Sequence, residues 1–192
     1  MRLSFRHIAP KRTYLGKQYK NYRSYKPHLE TDFNKRCGYS DCHQAWFGGM
    51  SNFHIDHFKA QSKFPELETV YANLVYTCSF INIAKSDDES SLYLDPCEVD
   101  FNDHFDRDKL GNIYPKPHSA EAIYMHKKLK LYLKRYGLIW TLEGLYQKWL
   151  QIKEVLANID IEDHTLKAEL TDLKKELADE FLEYFHYLRR EM

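Results

Sequence analysis

Between Phe53 and Phe58 apolar and polar side chains alternate, the period-two pattern of a half-buried strand. Leu74-Val-Tyr-Thr77 predicts a second strand. The stretch between them, Lys59 to Tyr71, is polar, interrupted by Pro65 and too irregular for a long helix. Ser79 is placed to cap a short helix by accepting a hydrogen bond from a free backbone N–H, which puts Asn82 in the first helical turn and Lys85 one turn later. Upstream, Ala45-Trp-Phe-Gly-Gly-Met-Ser-Asn52 reads as a tight turn, with Trp46 and Phe47 as core residues.

The flanks carry other periods. Tyr19, Tyr22 and Tyr25 recur at every third residue, which predicts a helical arm with one aromatic face, ended by Pro27. Gly111-Asn112 predicts a hairpin turn, and Pro115-Lys-Pro117 a linker. Ser119 caps a predicted helix to about Tyr136, stopped by Gly137, and Thr141 caps the next, to about Ile159. In the last element, Thr165 to about Arg190, Leu166, Leu170, Leu173, Leu177, Phe181, Tyr184 and Leu188 follow one another at steps of three or four. Such a narrow seam suits one partner helix, either the preceding one through the short Asn158 to Asp163 connection or a helix of another subunit; the intramolecular hairpin is preferred.

Composition adds location and charge. At 192 residues, 43% of them hydrophobic and with no long uninterrupted apolar run, the chain reads as a globular protein without a membrane span. The N-terminus lacks the apolar core of a secretory signal, so a cytoplasmic address is expected. With 28 basic and 28 acidic residues the formal charge is zero. The distribution is nevertheless polarised: ten Lys and Arg residues fall before Cys37, against only Glu30 and Asp32. Because phosphate attraction depends on local clusters, Lys11, Arg12, Lys17, Lys20, Arg23 and Lys26 form a candidate DNA-binding arm.

The candidate chemistry lies in the first strand and the short helix. Folding the hairpin would bring Asp56 and His57 against Asn82. A carboxylate and an amide oxygen are hard ligands suited to Mg²⁺ or Mn²⁺, and an imidazole can take a proton from water near neutral pH.

With Asp56-His57, Asn73, Asn82 and Lys85 in this order and spacing, the stretch from Cys37 to Asp87 resembles the HNH, or ββα-metal, endonucleases. Ala84-Lys-Ser-Asp87 is similar to the segment after the same asparagine in the HNH domain of CRISPR RNA-guided nucleases. The resemblance implies that Asp56 and Asn82 are metal ligands, that His57 is the general base, that Asn73 ties the loop to the hairpin, and that the product carries a 5′-phosphate. It leaves Lys85 as a candidate phosphate contact or a solvated helix lysine. Many HNH proteins also carry two cysteine pairs around a structural zinc. Here Cys37, Cys42 and Cys78 are present but Ile81 stands where the fourth thiol belongs. Closure by His43 or Cys97 and loss of the zinc are the two readings, and the isoleucine favours the second.

The expected protein is therefore α+β, with a basic arm over 1–36, a nuclease core with a downstream hairpin over 37–118, and a helical region over 119–192. The expected reaction is metal-dependent hydrolysis of DNA phosphodiesters; a non-catalytic DNA-binding or assembly subunit on the same scaffold is the rival. Downstream of the catalytic stretch the chain also resembles the HNH subunits of Septu-type and retron-linked phage-defence systems. That resemblance implies an ATPase partner, for which the helical region is the natural docking surface, and the same helices could serve an oligomer.

Overall fold

A computed structural model of the protein describes residues 2–158 and 164–191. The fold is mixed α+β with a C-terminal helical region, and the chain divides into two compact units: Met1–Lys109 with Ile113–Leu133, and Leu110–Asn112 with Lys134–Met192. The division departs from the three segments expected. The basic arm belongs to the first unit, because its strand β1 (Leu3–Ser4) pairs antiparallel with β4 (Phe105–Arg107), which pairs in turn with β5 (Ile113–Pro115).

The arm is not a helix. Beyond β1 its chain is irregular up to a single 3₁₀ turn, Tyr22–Tyr25, which Asn21 caps through its side chain. The every-third tyrosines are satisfied otherwise: Tyr25 lies 4.9 Å from Tyr19 and 5.0 Å from Tyr71, ring to ring, so an aromatic cluster replaces the helical face. Nor does Pro27 end an element. It sits in the first turn of α1 (Lys26–Asp32), where its missing N–H would have had no intrahelical partner.

Asp32, buried at the end of α1, is the anchor of this region. It accepts hydrogen bonds from the backbone N–H of Thr13 (2.7 Å) and from the Tyr71 hydroxyl (2.7 Å), joining the arm to the loop that precedes Leu74. Arg12 makes a second clamp, with Nη1 and Nη2 each 3.0 Å from an oxygen of Asp95. The expected DNA contact at Arg12 is thus occupied by a nearly inaccessible ion pair, whereas Lys11, Lys17, Lys20 and Arg23 are exposed and Lys26 is half-buried.

At the centre, β2 (Phe53–His57) and β3 (Leu74–Cys78) form an antiparallel pair in which Asp56 faces Val75 and His57 faces Leu74. Every residue of β3 is buried, and α2 (Ser79–Lys85) follows without a break. Cys78, still extended, is the cap residue, and Ser79 is already helical. Trp46 and Phe47 are half-buried, Phe47 packing its ring 5.8 Å from that of Phe53. The unit closes with α3 (Ala120–Lys128), which Ser119 caps by accepting from the N–H of Ala122 at 3.1 Å.

After Ser119 the helix boundaries differ from the sequence expectation. Lys130, at φ +55°, ends the α3 segment early, and α4 (Lys134–Asn158) runs through both Gly137 and Thr141. Gly137 does not stop the helix; it lets segment 110–112 approach, since a Cβ there would lie 2.6 Å from Asn112 Oδ1 and 2.8 Å from the Leu110 carbonyl. Thr141 caps nothing and instead donates to that carbonyl at 3.2 Å. The last helix, α5 (His164–Glu191), packs along α4 as the preferred hairpin requires. The connection expected between them falls on residues 159–163, outside those described. Among the described residues no helix is long and apolar enough to cross a membrane.

Candidate active site

Asp56 and Lys85 meet behind the surface. The Asp56 side chain is 4% exposed and Lys85 is fully buried, with Lys85 Nζ 3.1 Å from Asp56 Oδ1 and 2.8 Å from the His57 carbonyl oxygen. The opposite carboxylate oxygen, Oδ2, accepts from the Tyr39 hydroxyl at 2.7 Å. Burial pushes the Asp56 carboxyl up, and the charge of Lys85 with the hydrogen bonds from Tyr39 and Lys85 offsets only part of that. Lys85 is therefore neither a solvated helix lysine nor a group free to meet phosphate. It packs against the Tyr93 ring and holds the end of β2 in place.

His57 is fixed by a backbone acceptor. Its Nε2 lies 2.9 Å from the Glu68 carbonyl oxygen, and because a carbonyl can only accept, Nε2 carries the proton. The neutral ring then keeps its lone pair on Nδ1, the nitrogen available to a reacting water. The Tyr22 ring stands edge-on to the imidazole, 4.7 Å between centroids.

Asn73 ties the loop to the hairpin. Its Oδ1 accepts from the N–H of Lys59 at 2.8 Å and its Nδ2 donates to the Lys59 carbonyl at 3.0 Å, so the chain leaving β2 is clasped to the chain entering β3. Buried and turned into the loop, Asn73 positions the site without lining it.

Asn82 is oriented from the other side. Its Nδ2 lies 3.2 Å from His54 Nδ1 and must be the donor, which leaves the amide oxygen free of this contact. Burial, and then the charge of Lys26, lowers the pKa of His54. Asp56, His57 and Asn82 line one surface pocket of about 320 Å³, together with Tyr22, Ile55, Ala60, Gln61, Ser62, Ser86 and Asp87. Each carboxylate oxygen of Asp56 has one hydrogen bond and a further lone pair, so the donor set of this pocket remains compatible with a hard divalent cation that keeps several waters.

The cysteines lie apart from that pocket. Cys37, Cys42 and Cys78 are all buried, with Cys37 Sγ 3.3 Å from Thr77 Oγ1. Burial pushes the Cys37 thiol up, but hydrogen bonds from Cys78, Ser40 and Thr77 outweigh it and bring the group to about 5. Burial holds Cys42 up at about 12 and Cys78 well above its ordinary value. Ile81 is fully buried. Among the described residues no three His, Cys, Asp or Glu side chains are grouped as a metal site.

Tyr39 and Tyr22 escaped the sequence reading. Tyr39 sits in the Cys37–Cys42 turn with no local pattern to tie it to Asp56, whereas Tyr22 belongs to the every-third tyrosine series and was visible only as an aromatic of the arm. Comparison with known proteins finds no matching family model, no matching curated protein and no matching solved structure.

Proposed function

We propose that β2, β3 and α2 form a ββα-metal core and that the protein is an HNH-type endonuclease hydrolysing phosphodiester bonds in DNA. The observation that carries the reading is the convergence of Asp56, His57 and Asn82 on one pocket, with His57 held through Nε2 so that Nδ1 is its basic nitrogen. Asp56 and Asn82 would hold one Mg²⁺ or Mn²⁺ through oxygen. When bound, such an ion neutralises charge developing on the scissile phosphate and the leaving oxygen. His57 takes the proton of the attacking water at Nδ1. Tyr39 and Lys85 hold the Asp56 carboxylate in place, Asn73 holds the loop that carries the Glu68 carbonyl, and His54 sets the face that the Asn82 amide presents.

The test is cleavage of supercoiled plasmid, single-stranded DNA and RNA with Mg²⁺ or Mn²⁺, beside a chelator control and His57→Ala. Metal-dependent cleavage of DNA that the variant lacks is the expected result. Equal activity of variant and wild type, or no cleavage of any substrate, returns the protein to the rival reading of a DNA-binding scaffold. We extend the proposal to phage defence in complex with an ATPase subunit docked on residues 119–192, where Leu182, Phe185 and Tyr187 expose apolar surface on α5. Co-expression with the products of neighbouring genes, followed by size-exclusion chromatography, checks that extension; a nuclease that elutes and cuts alone removes it.

A further inference from the structure

A second pocket adjoins the first. It has a volume of about 340 Å³ and is lined by Arg23, Lys26, Ser51, Phe53 and His54 along with Tyr22, Ile55 and Asn82, the three residues it shares with the site of Asp56 and His57. The shared residues make a sill between two hollows, and Tyr22 is its aromatic part.

The cations of this second hollow have no carboxylate partner among the described residues. Among the described residues neither Arg23 nor Lys26 forms an ion pair. Lys26 feels the charge of Glu30, but the Glu30 carboxylate accepts from Gln44 Nε2 instead. Arg23 lies over the Tyr22 ring, 5.6 Å from its centroid. Two unpaired cations, a serine hydroxyl and an imidazole around one hollow make a receptor for an anion with several acceptor oxygens.

Register along β2 gives the step between the hollows. His54 and Asp56 are two residues apart on one side of the strand, a separation of roughly 6.6 Å. That is close to the step from one phosphate to the next along an extended nucleic-acid strand. A base lying between those phosphates would meet Tyr22, whose ring is half-buried and already set edge-on to His57.

We infer that the second pocket binds the phosphate adjacent to the scissile one, with Arg23 and Lys26 holding it and Tyr22 supporting the intervening base. The substrate is then a strand locally freed from its complement, because a base stacked on Tyr22 cannot also be stacked in a duplex. The inference rests on the reading of the first pocket as a phosphodiester site.

The experiment uses the full chain and a fluorescent single-stranded deoxyoligonucleotide, with binding read by anisotropy in Ca²⁺ and cleavage read in Mg²⁺. The double variant Arg23→Gln/Lys26→Gln should weaken binding about tenfold or more and flatten the dependence of log affinity on log salt by about 0.7, the loss of one neutralised phosphate on a single strand. The charge-preserving Arg23→Lys/Lys26→Arg should retain most of the affinity. Tyr22→Ala should lose on the order of tenfold, and Tyr22→Phe much less. In cleavage, the double Gln variant should raise KM for the oligonucleotide about tenfold more than for bis(p-nitrophenyl) phosphate, which has no neighbouring phosphate. Unchanged affinity and salt slope in the double Gln variant, or an equal KM rise on both substrates, overturns the subsite. Loss of binding in a protein whose wild type cuts neither substrate supports the phosphate pocket and overturns the nuclease reading instead.

Discussion

Lys85 Nζ lies 3.1 Å from Asp56 Oδ1, and the two side chains are 0% and 4% exposed, so the candidate metal ligand is one half of a buried ion pair. Removing one member of such a pair strands the other charge away from water, at a cost of roughly 3–5 kcal/mol. Lys85→Met should therefore lower unfolding free energy by about that amount in urea titrations. Removing both charges in Lys85→Met/Asp56→Asn should recover part of the loss. Losses that simply add would show that the two groups do not neutralise each other.

This pairing also marks how far the sequence reached. The alternation over Phe53–Phe58, the buried run of β3 and the helix start after it were legible because each is a local pattern, and they place Asp56, His57 and Asn82 on one pocket. Lys85 was read as a surface residue because nothing near it in sequence announces Tyr39 or Tyr93. Arg12 looked like one more cation of a basic arm, since its partner Asp95 is remote in the chain. The tyrosines of the arm have helical spacing, yet their contacts run to His57, His28 and Tyr71, and those partners decide the backbone.

His57 should be a single tautomer. Nitrogen-detected NMR of ¹⁵N-labelled protein above pH 7.5 is expected to show Nε2 protonated and Nδ1 bare, as the Glu68 carbonyl requires. His57→Ala should reduce cleavage on the order of 10²–10⁴-fold while leaving the urea transition cooperative. A protonated Nδ1 in the neutral ring would remove the imidazole from the role of base.

His54 should matter to metal binding without touching the ion. Its Nδ1 accepts from Asn82 Nδ2, so His54→Leu frees the amide to rotate and present nitrogen where oxygen is needed. Mn²⁺ affinity, measured by the loss of free-ion electron paramagnetic resonance signal, should fall about 10–100-fold. Asn82→Ala should fall at least as far. Equal affinity of His54→Leu and wild type would mean that the amide is held by something other than this contact.

Within the basic arm, stability and DNA affinity should separate. Arg12→Met breaks the bidentate contact to Asp95 and the hydrogen bond to the Leu74 carbonyl, and is expected to cost about 1.5–3 kcal/mol in thermal or urea unfolding. Lys17→Gln/Lys20→Gln changes exposed cations and should leave unfolding nearly unmoved. That pair should instead reduce the slope of log affinity against log salt by up to about 1.8 on duplex DNA. The opposite assignment of effects would make Arg12 a nucleic-acid contact after all.

His126 gives the fold a dependence on acid. Its Nε2 lies 3.0 Å from the Ile113 carbonyl oxygen, joining α3 to β5, and burial lowers its pKa although that backbone bond pulls the other way. Above its unfolded value, near 6.5, the ring is neutral in both states and folding carries no proton penalty. As pH falls below about 6.5 the unfolded chain binds a proton that the folded chain resists, so stability drops until the folded group also titrates. Urea midpoints measured between pH 7.5 and 5 should therefore fall with pH in the wild type, and less steeply in His126→Gln, which keeps a donor for Ile113 and cannot titrate. Parallel profiles for the two proteins would assign the acid sensitivity to other groups.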